Sequence, residues 1–170
     1  MLGLAATSRG SCRRLAAGRT SYPPQPAISP PGIHNTLMKS RALLYVWAFP
    51  TTAVGLPLAV ATVLSGGKAG VVQGVLEVHG PAAEFFLRRV VGVFLKGGAS
   101  AITFGHIVLG RDQRVLEMTR AHERVHVRQA ELWGPLFLPV YLGASLWALA
   151  RGGRAYEDNF LEKEAFKKTR

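Results

Sequence analysis

From Ala42 to Ser65 the chain runs ALLYVWAFPTTAVGLPLAVATVLS, 24 residues without a charge. A helix of that length reaches ~36 Å at ~1.5 Å per residue, enough to cross the ~30 Å hydrocarbon layer of a bilayer. Pro50, Gly55 and Pro57 would kink it, which a membrane helix tolerates better than a soluble one. Lys39 and Arg41 precede the run and only Lys68 follows closely, so the positive-inside bias places its N-terminus in the cytoplasm. Ala59-Val60-Ala61 would suit signal cleavage, but the run is long for the apolar region of a signal peptide. An anchor over 38–66 is therefore expected, facing membrane lipid.

Ahead of it, residues 1–37 hold Arg9, Arg13, Arg14 and Arg19, the Pro-rich run Ser21–Pro26 and no acid. That composition buries too little apolar surface to order itself, and it shares features with a mitochondrial transit peptide. The plainer expectation is a disordered extension or a misassigned start, since Met38-Lys39-Ser40-Arg41 opens a well-formed membrane-targeting segment. The first acidic residue is Glu77, and the net charge is +11. An acid-free start of this kind suits anionic headgroups. Nucleic acid is not expected as a partner, because the arginines are scattered and no aromatic-basic motif accompanies them. The single cysteine, Cys12, excludes an intrachain disulfide and a cysteine-based metal site.

Chemistry concentrates at Ala121-His122-Glu123-Arg124-Val125-His126-Val127-Arg128-Gln129, which contains His-Glu-x-x-His. Histidines four apart on a helix share one face, where both imidazoles can bind one Zn²⁺. Zinc lowers the pKa of a bound water towards neutrality, and the carboxylate of Glu123 can take the proton as that water attacks a carbonyl. His122, Val125, His126, Gln129 and Trp133 fall on one side of the helix. Glu117, Arg120, Arg124, Arg128 and Glu131 fall on the other, so the histidine side should be buried and the arginine side solvated. Ordinary core histidines are the blander alternative.

Around this helix an α+β domain over 67–170 is expected. Val71–His79 and Ala101–Leu109 each read as a strand, and Pro81 to about Phe94 as a short helix. Asp112 is placed to cap the motif helix. His79 and His106 sit in the two strand segments, where a histidine is more often a structural residue than a ligand. The run Leu132–Ala150 is again uncharged and could just span a bilayer. If it did, nothing after Arg151 could join His122 and His126. Pro135 and Pro139 favour a bend after the motif helix, so this second apolar helix is expected to lie buried or in the lipid interface. In the polar tail, Asp158 or Asn159 can cap a last helix bearing Glu162 and Glu164. These two point about 200° apart, so only one can complete a three-ligand zinc site.

The motif helix followed by a second helix with Glu-x-x-Ala, here Glu162-Lys163-Glu164-Ala165, resembles the gluzincin metallopeptidases. The form Ala-His-Glu-x-x-His-x-x-Gln is similar to small bacterial membrane proteins of that type. The resemblance covers roughly a third of the chain. It implies a minimal zincin-like fold, with His122, His126 and Glu162 as zinc ligands and Glu162 chosen over Glu164. Glu123 would be the general base for hydrolysis of a peptide or protein substrate at a bacterial inner membrane, with the domain extracytoplasmic. Tyr156 and His106 are the candidate oxyanion donors, and the Ala101–Leu109 strand could pair with an extended peptide. Phe166 departs from the pattern, which has Asp or Asn there to orient a ligand histidine; Asp158, Asn159 or Gln129 would have to substitute. The alternative is a non-catalytic membrane-associated protein using the same helix for structural metal binding or packing.

Overall fold

The computed structural model describes residues 33–95 and 97–170, with side chains from residue 41 onward. The extension expected over 1–37 lies outside them, except that 33–37 already belong to the first helix. That helix, α1 (Ile33–Leu64), is followed by β1 (Lys68–Val72), β2 (Val75–His79), the short α2 (Pro81–Phe85), β3 (Ala101–Phe104), β4 (Ile107–Gly110), α3 (Gln113–Trp133), α4 (Phe137–Ala150) and α5 (Phe160–Thr169). The protein is thus α+β, with one four-stranded mixed sheet of order β1-β2-β4-β3. β2 and β4 run parallel, and β1 and β3 close the edges as antiparallel partners.

Each segment read as one strand is in fact a hairpin. Gln73 and Gly74 both take positive φ, 50° and 81°, as a two-residue turn of the primed type requires. Gly105, at φ 59°, makes the corresponding turn between β3 and β4. The helix expected from Pro81 to about Phe94 is regular only to Phe85, then widens into a π turn (Phe86–Val90) and tightens into a 3₁₀ turn (Val91–Val93).

Alternation along the strands sends side chains to two layers. On one face Val78, Phe104, Ile107 and Leu109 pack with Ala59 of α1 and Ala83 of α2. On the other, Val75 and Val108 meet Leu116 and Val127 of α3. α1 approaches the sheet through a stripe of small residues, Ala48, Thr51, Gly55, Ala59 and Thr62, all buried. Closeness is the reason for their size: a Cβ on Gly55 would stand 2.7 Å from Cβ of Phe104. The opposite face of α1 stays apolar and exposed, through Leu43, Val46, Phe49, Val54, Val60 and Val63. Thus the helix expected as an anchor also forms one wall of the domain.

Two stretches, Arg41–Leu64 and Gln113–Ala150, are long and apolar enough to cross a membrane by length and composition. The second bends at Gly134-Pro135-Leu136, where Gly134 takes φ 55°. α4 then folds back, so that Phe137 packs with Ala130 of α3 and Leu161 of α5. The bend expected at Pro135 is present, and the chain beyond α4 returns to the motif helix.

The arginine side of α3 is not simply solvated. Arg120 donates to both oxygens of Glu77 at 2.9 and 3.0 Å, and Arg124 donates to the same carboxylate at 3.0 Å and to the Val72 carbonyl at 2.7 Å. Glu77 is only 6% exposed, so the first acid in the chain is the counter-ion that lets two arginines lie against the sheet. Removing one partner of a buried ion pair leaves an uncompensated charge and typically costs 3–5 kcal/mol. Glu77→Ala should therefore destabilise the fold by about 3–5 kcal/mol in denaturant titration of the detergent-solubilised chain. Loss below about 1 kcal/mol would show these arginines to be solvated after all.

Candidate metal centre

α3 starts where expected: Asp112 accepts a hydrogen bond from the Val115 amide at 2.8 Å, satisfying an otherwise unpaired donor of the first turn. Two turns on, His122 and His126 project side by side, their Nε2 atoms 3.1 Å apart. α5 supplies the third group. Asn159 caps it by accepting from the Leu161 amide at 2.9 Å, and fixes its start to α4 by donating to the Tyr141 carbonyl and to Ser145 Oγ. One turn into α5, Glu162 places Oε2 3.1 Å from His122 Nε2 and Oε1 3.3 Å from His126 Nε2. One ligand atom from each of the three residues lies within 4.8 Å of the others. Glu164 points elsewhere, accepting from Gln129 and from Lys168.

The donor set suits a divalent cation, and the surrounding hydrogen bonds show how the histidines are prepared for one. Gln129 Nε2 donates to the Leu161 carbonyl at 3.1 Å and to Glu164 at 2.9 Å, so its amide oxygen faces His126. That oxygen accepts from His126 Nδ1 at 2.8 Å, so in the neutral ring the proton sits on Nδ1 and Nε2 keeps its lone pair. Gln129, the last residue of the motif run, thereby does the orienting work that Phe166 cannot. Phe166 instead packs its ring 4.7 Å from that of His122. Tyr141, within the second apolar run, donates to Glu162 Oε1 at 2.5 Å. Burial works against the Glu162 carboxylate, but its contacts with His122 and His126 and the hydrogen bond from Tyr141 outweigh it and hold the pKa down to about 2. The group is therefore an anionic oxygen donor across the physiological range.

Glu123 lies beside the three, nearly buried at 6% exposure, and accepts from the Thr103 hydroxyl at 2.6 Å. Burial raises its pKa, while His126 and Thr103 act against the rise. Both Glu123 and Thr103 line a cavity of about 450 Å³ that also takes in His122, His126, Glu162, Tyr141 and Tyr156. Burial, followed by the charge of Glu162, raises the Tyr156 pKa, so this phenol keeps its proton and stands as a donor at the cavity wall.

His106 is placed differently. It occupies the β3–β4 turn, stacks on Tyr45 at 4.0 Å and contacts Glu131 through Nε2 at 3.1 Å. It does not line the cavity, so of the two candidate oxyanion donors only Tyr156 stands near the histidine pair. Thr103 and Tyr141 were not picked out by motif. Thr103 is the one hydroxyl in the otherwise apolar strand Ala101-Ile102-Thr103-Phe104, and Tyr141 is the one phenol in Leu132–Ala150. A polar tip inside an apolar run is the signal each of them carries.

No protein family, no curated protein and no solved structure matches this chain. The centre is therefore defined by its own geometry. Loss of a residue that orients a ligand histidine commonly costs 10–100-fold in metal affinity or activity. Gln129→Leu should weaken Zn²⁺ binding by about 10–100-fold, and His126→Ala should abolish it, as read by competition with a chromogenic chelator. Equal affinity in Gln129→Leu would remove the amide from the centre.

Proposed function

We propose that this chain is a membrane-associated, zinc-dependent metallopeptidase of the gluzincin kind, a minimal zincin in which His122, His126 and Glu162 hold the metal. The observation that carries this reading is the convergence of those three ligand atoms with Glu123 beside them in one cavity. Bound Zn²⁺ supplies Lewis acidity, polarising the scissile carbonyl and lowering the pKa of a water molecule. Glu123, held by the Thr103 hydroxyl, accepts a proton from the attacking water and returns it to the nitrogen of the breaking C–N bond. Tyr156 is the donor available to the oxyanion that develops on the carbonyl oxygen. β3 is an edge strand, and Ala101, Ile102 and Thr103 border the cavity, so an extended peptide can pair along it.

The exposed apolar face of α1 supports attachment to a bilayer. The excess of Lys39 and Arg41 over Lys68 supports a topology with the start of α1 on the cytoplasmic side of a bacterial inner membrane and the chain after Gly66 on the other. The rival is a protein that uses the same centre for structural metal binding. Glu123→Gln separates the two. With zinc content unchanged, it should reduce cleavage of a mixed peptide library to background, whereas Thr103→Val should lower the rate by about 10–100-fold. A wild-type chain that carries zinc and cleaves nothing, or a Glu123→Gln chain that cleaves normally, belongs to the rival class.

A further inference from the structure

The cavity has an unusual division of chemistry. A few polar groups cluster around the two histidines, while most of the remaining lining is apolar, including Phe86, Val90, Phe94, Leu138, Leu142 and Leu146. An apolar lining of this kind would normally be covered, yet Phe94 is 81% exposed and Leu146 66%. Val93 and Trp147, next to them in the chain, are 79% and 66% exposed. Leu58 of α1, Phe86 and Leu138 all pack on one core cluster, so α1, the turns after α2 and α4 meet on this side of the domain. Each of these elements leaves large apolar side chains exposed, Val54 and Val60 on α1, Val93 and Phe94 on the turns, Leu142 and Leu146 on α4. Basic groups stand among them. Arg88 and Arg89 are exposed on the π turn, and the Arg151 guanidinium lies 5.8 Å from the centre of the Trp147 ring. An aromatic ring with an arginine beside it is the arrangement favoured where hydrocarbon meets headgroups.

Resting on the metallopeptidase reading, we propose that the cavity mouth lies within the lipid bilayer, and that apolar, membrane-embedded polypeptide enters the site from the lipid. The exposed apolar side chains of α1, the turns and α4, with Arg89 and Arg151 among them, select lipid as the cover. An extended apolar segment leaving the bilayer would meet the apolar walls first, then the edge of β3, then the centre.

The full chain provides the test, with Cys12→Ser removing its one cysteine. Val93→Cys, Leu146→Cys and, as a water-facing control on α3, Glu117→Cys are labelled with an environment-sensitive fluorophore. The labelled chains are reconstituted in vesicles of phosphatidylcholine and phosphatidylglycerol, with or without brominated acyl chains. All three positions are exposed, so labelling leaves the fold intact. Labels at 93 and 146 should be quenched by brominated lipid several-fold more than the label at 117. Quenching equal to that at 117 overturns the proposal. So does protection from water without lipid quenching, which would place a second copy of the chain on the rim. In the same vesicles, a peptide built around an apolar spanning segment of about 20 residues should be cleaved at least tenfold faster than its water-soluble counterpart. Equal rates overturn the lipid route to the site. Lipid-quenched labels with zinc bound and neither peptide cleaved would defeat the hydrolase reading instead, leaving the mouth in the bilayer.

Discussion

The fold turns on one contact across 40 residues of sequence, the carboxylate of Glu162 lying against His122 and His126. A carboxylate that is 2% exposed would be expelled from a protein interior unless other groups shared its charge. Here the two imidazoles and the Tyr141 hydroxyl do so. Their presence constrains everything between them. α4 must turn back rather than run on, Asn159 must start α5 at the right height, and Gln129 must tie α5 to α3 through the Leu161 carbonyl. The same bonds that close the centre therefore hold the C-terminal third of the chain against the motif helix.

A second constraint is imposed by α1. Its small-residue stripe lets the helix lie against the sheet, so the domain has an exposed apolar wall on one side and the charged outer face of α3 on the other. Between the two faces of the sheet the chemistry is segregated. The face towards α1 is hydrocarbon throughout, whereas the face towards α3 carries the Glu77 ion cluster and, at β3, Thr103 aimed at Glu123. Strand alternation accounts for this directly, since Phe104 and Thr103 are neighbours that must face opposite ways. The edge position of β3 then brings Glu123 and an unpaired strand edge to the same cavity.

Much of the centre could be read from residues alone, because its signals are local. His122 and His126 are one turn apart, and the two glutamates of the last helix point far enough apart that only one can face them; the Glu-x-x-Ala resemblance chooses Glu162. Asp112 and Asn159 cap the helices they precede. What escaped reading depends on groups far apart in sequence. The Val71–His79 and Ala101–Leu109 segments are rich in β-branched residues on both sides of their turns, and neither Gln73-Gly74 nor Gly105-His106 is a strong turn pair. Each hairpin therefore passes for a single strand. The arginine side of α3 looks solvated by periodicity, and only the sheet shows that Glu77, 43 residues before Arg120, is waiting for it. His106 looked available because no local feature announces Tyr45 and Glu131 as its neighbours.

The hydrogen-bond pattern also bears on how the paired histidines could hold a metal. With Nδ1 of His126 committed as a donor to Gln129, a neutral ring offers a lone pair at Nε2, and that lone pair faces His122 Nε2 and a carboxylate oxygen. Two acceptors and an anion directed at one point repel one another unless a cation or protons lie between them. Protonating the rings would relieve the repulsion too: burial opposes charge on His126, but the hydrogen bond to Glu162 and that carboxylate's charge outweigh burial and raise the His126 pKa. A divalent cation relieves it without charging either imidazole. It also accounts for Gln129 serving the pair from outside, since fixing the tautomer has value only where a particular nitrogen must be left bare.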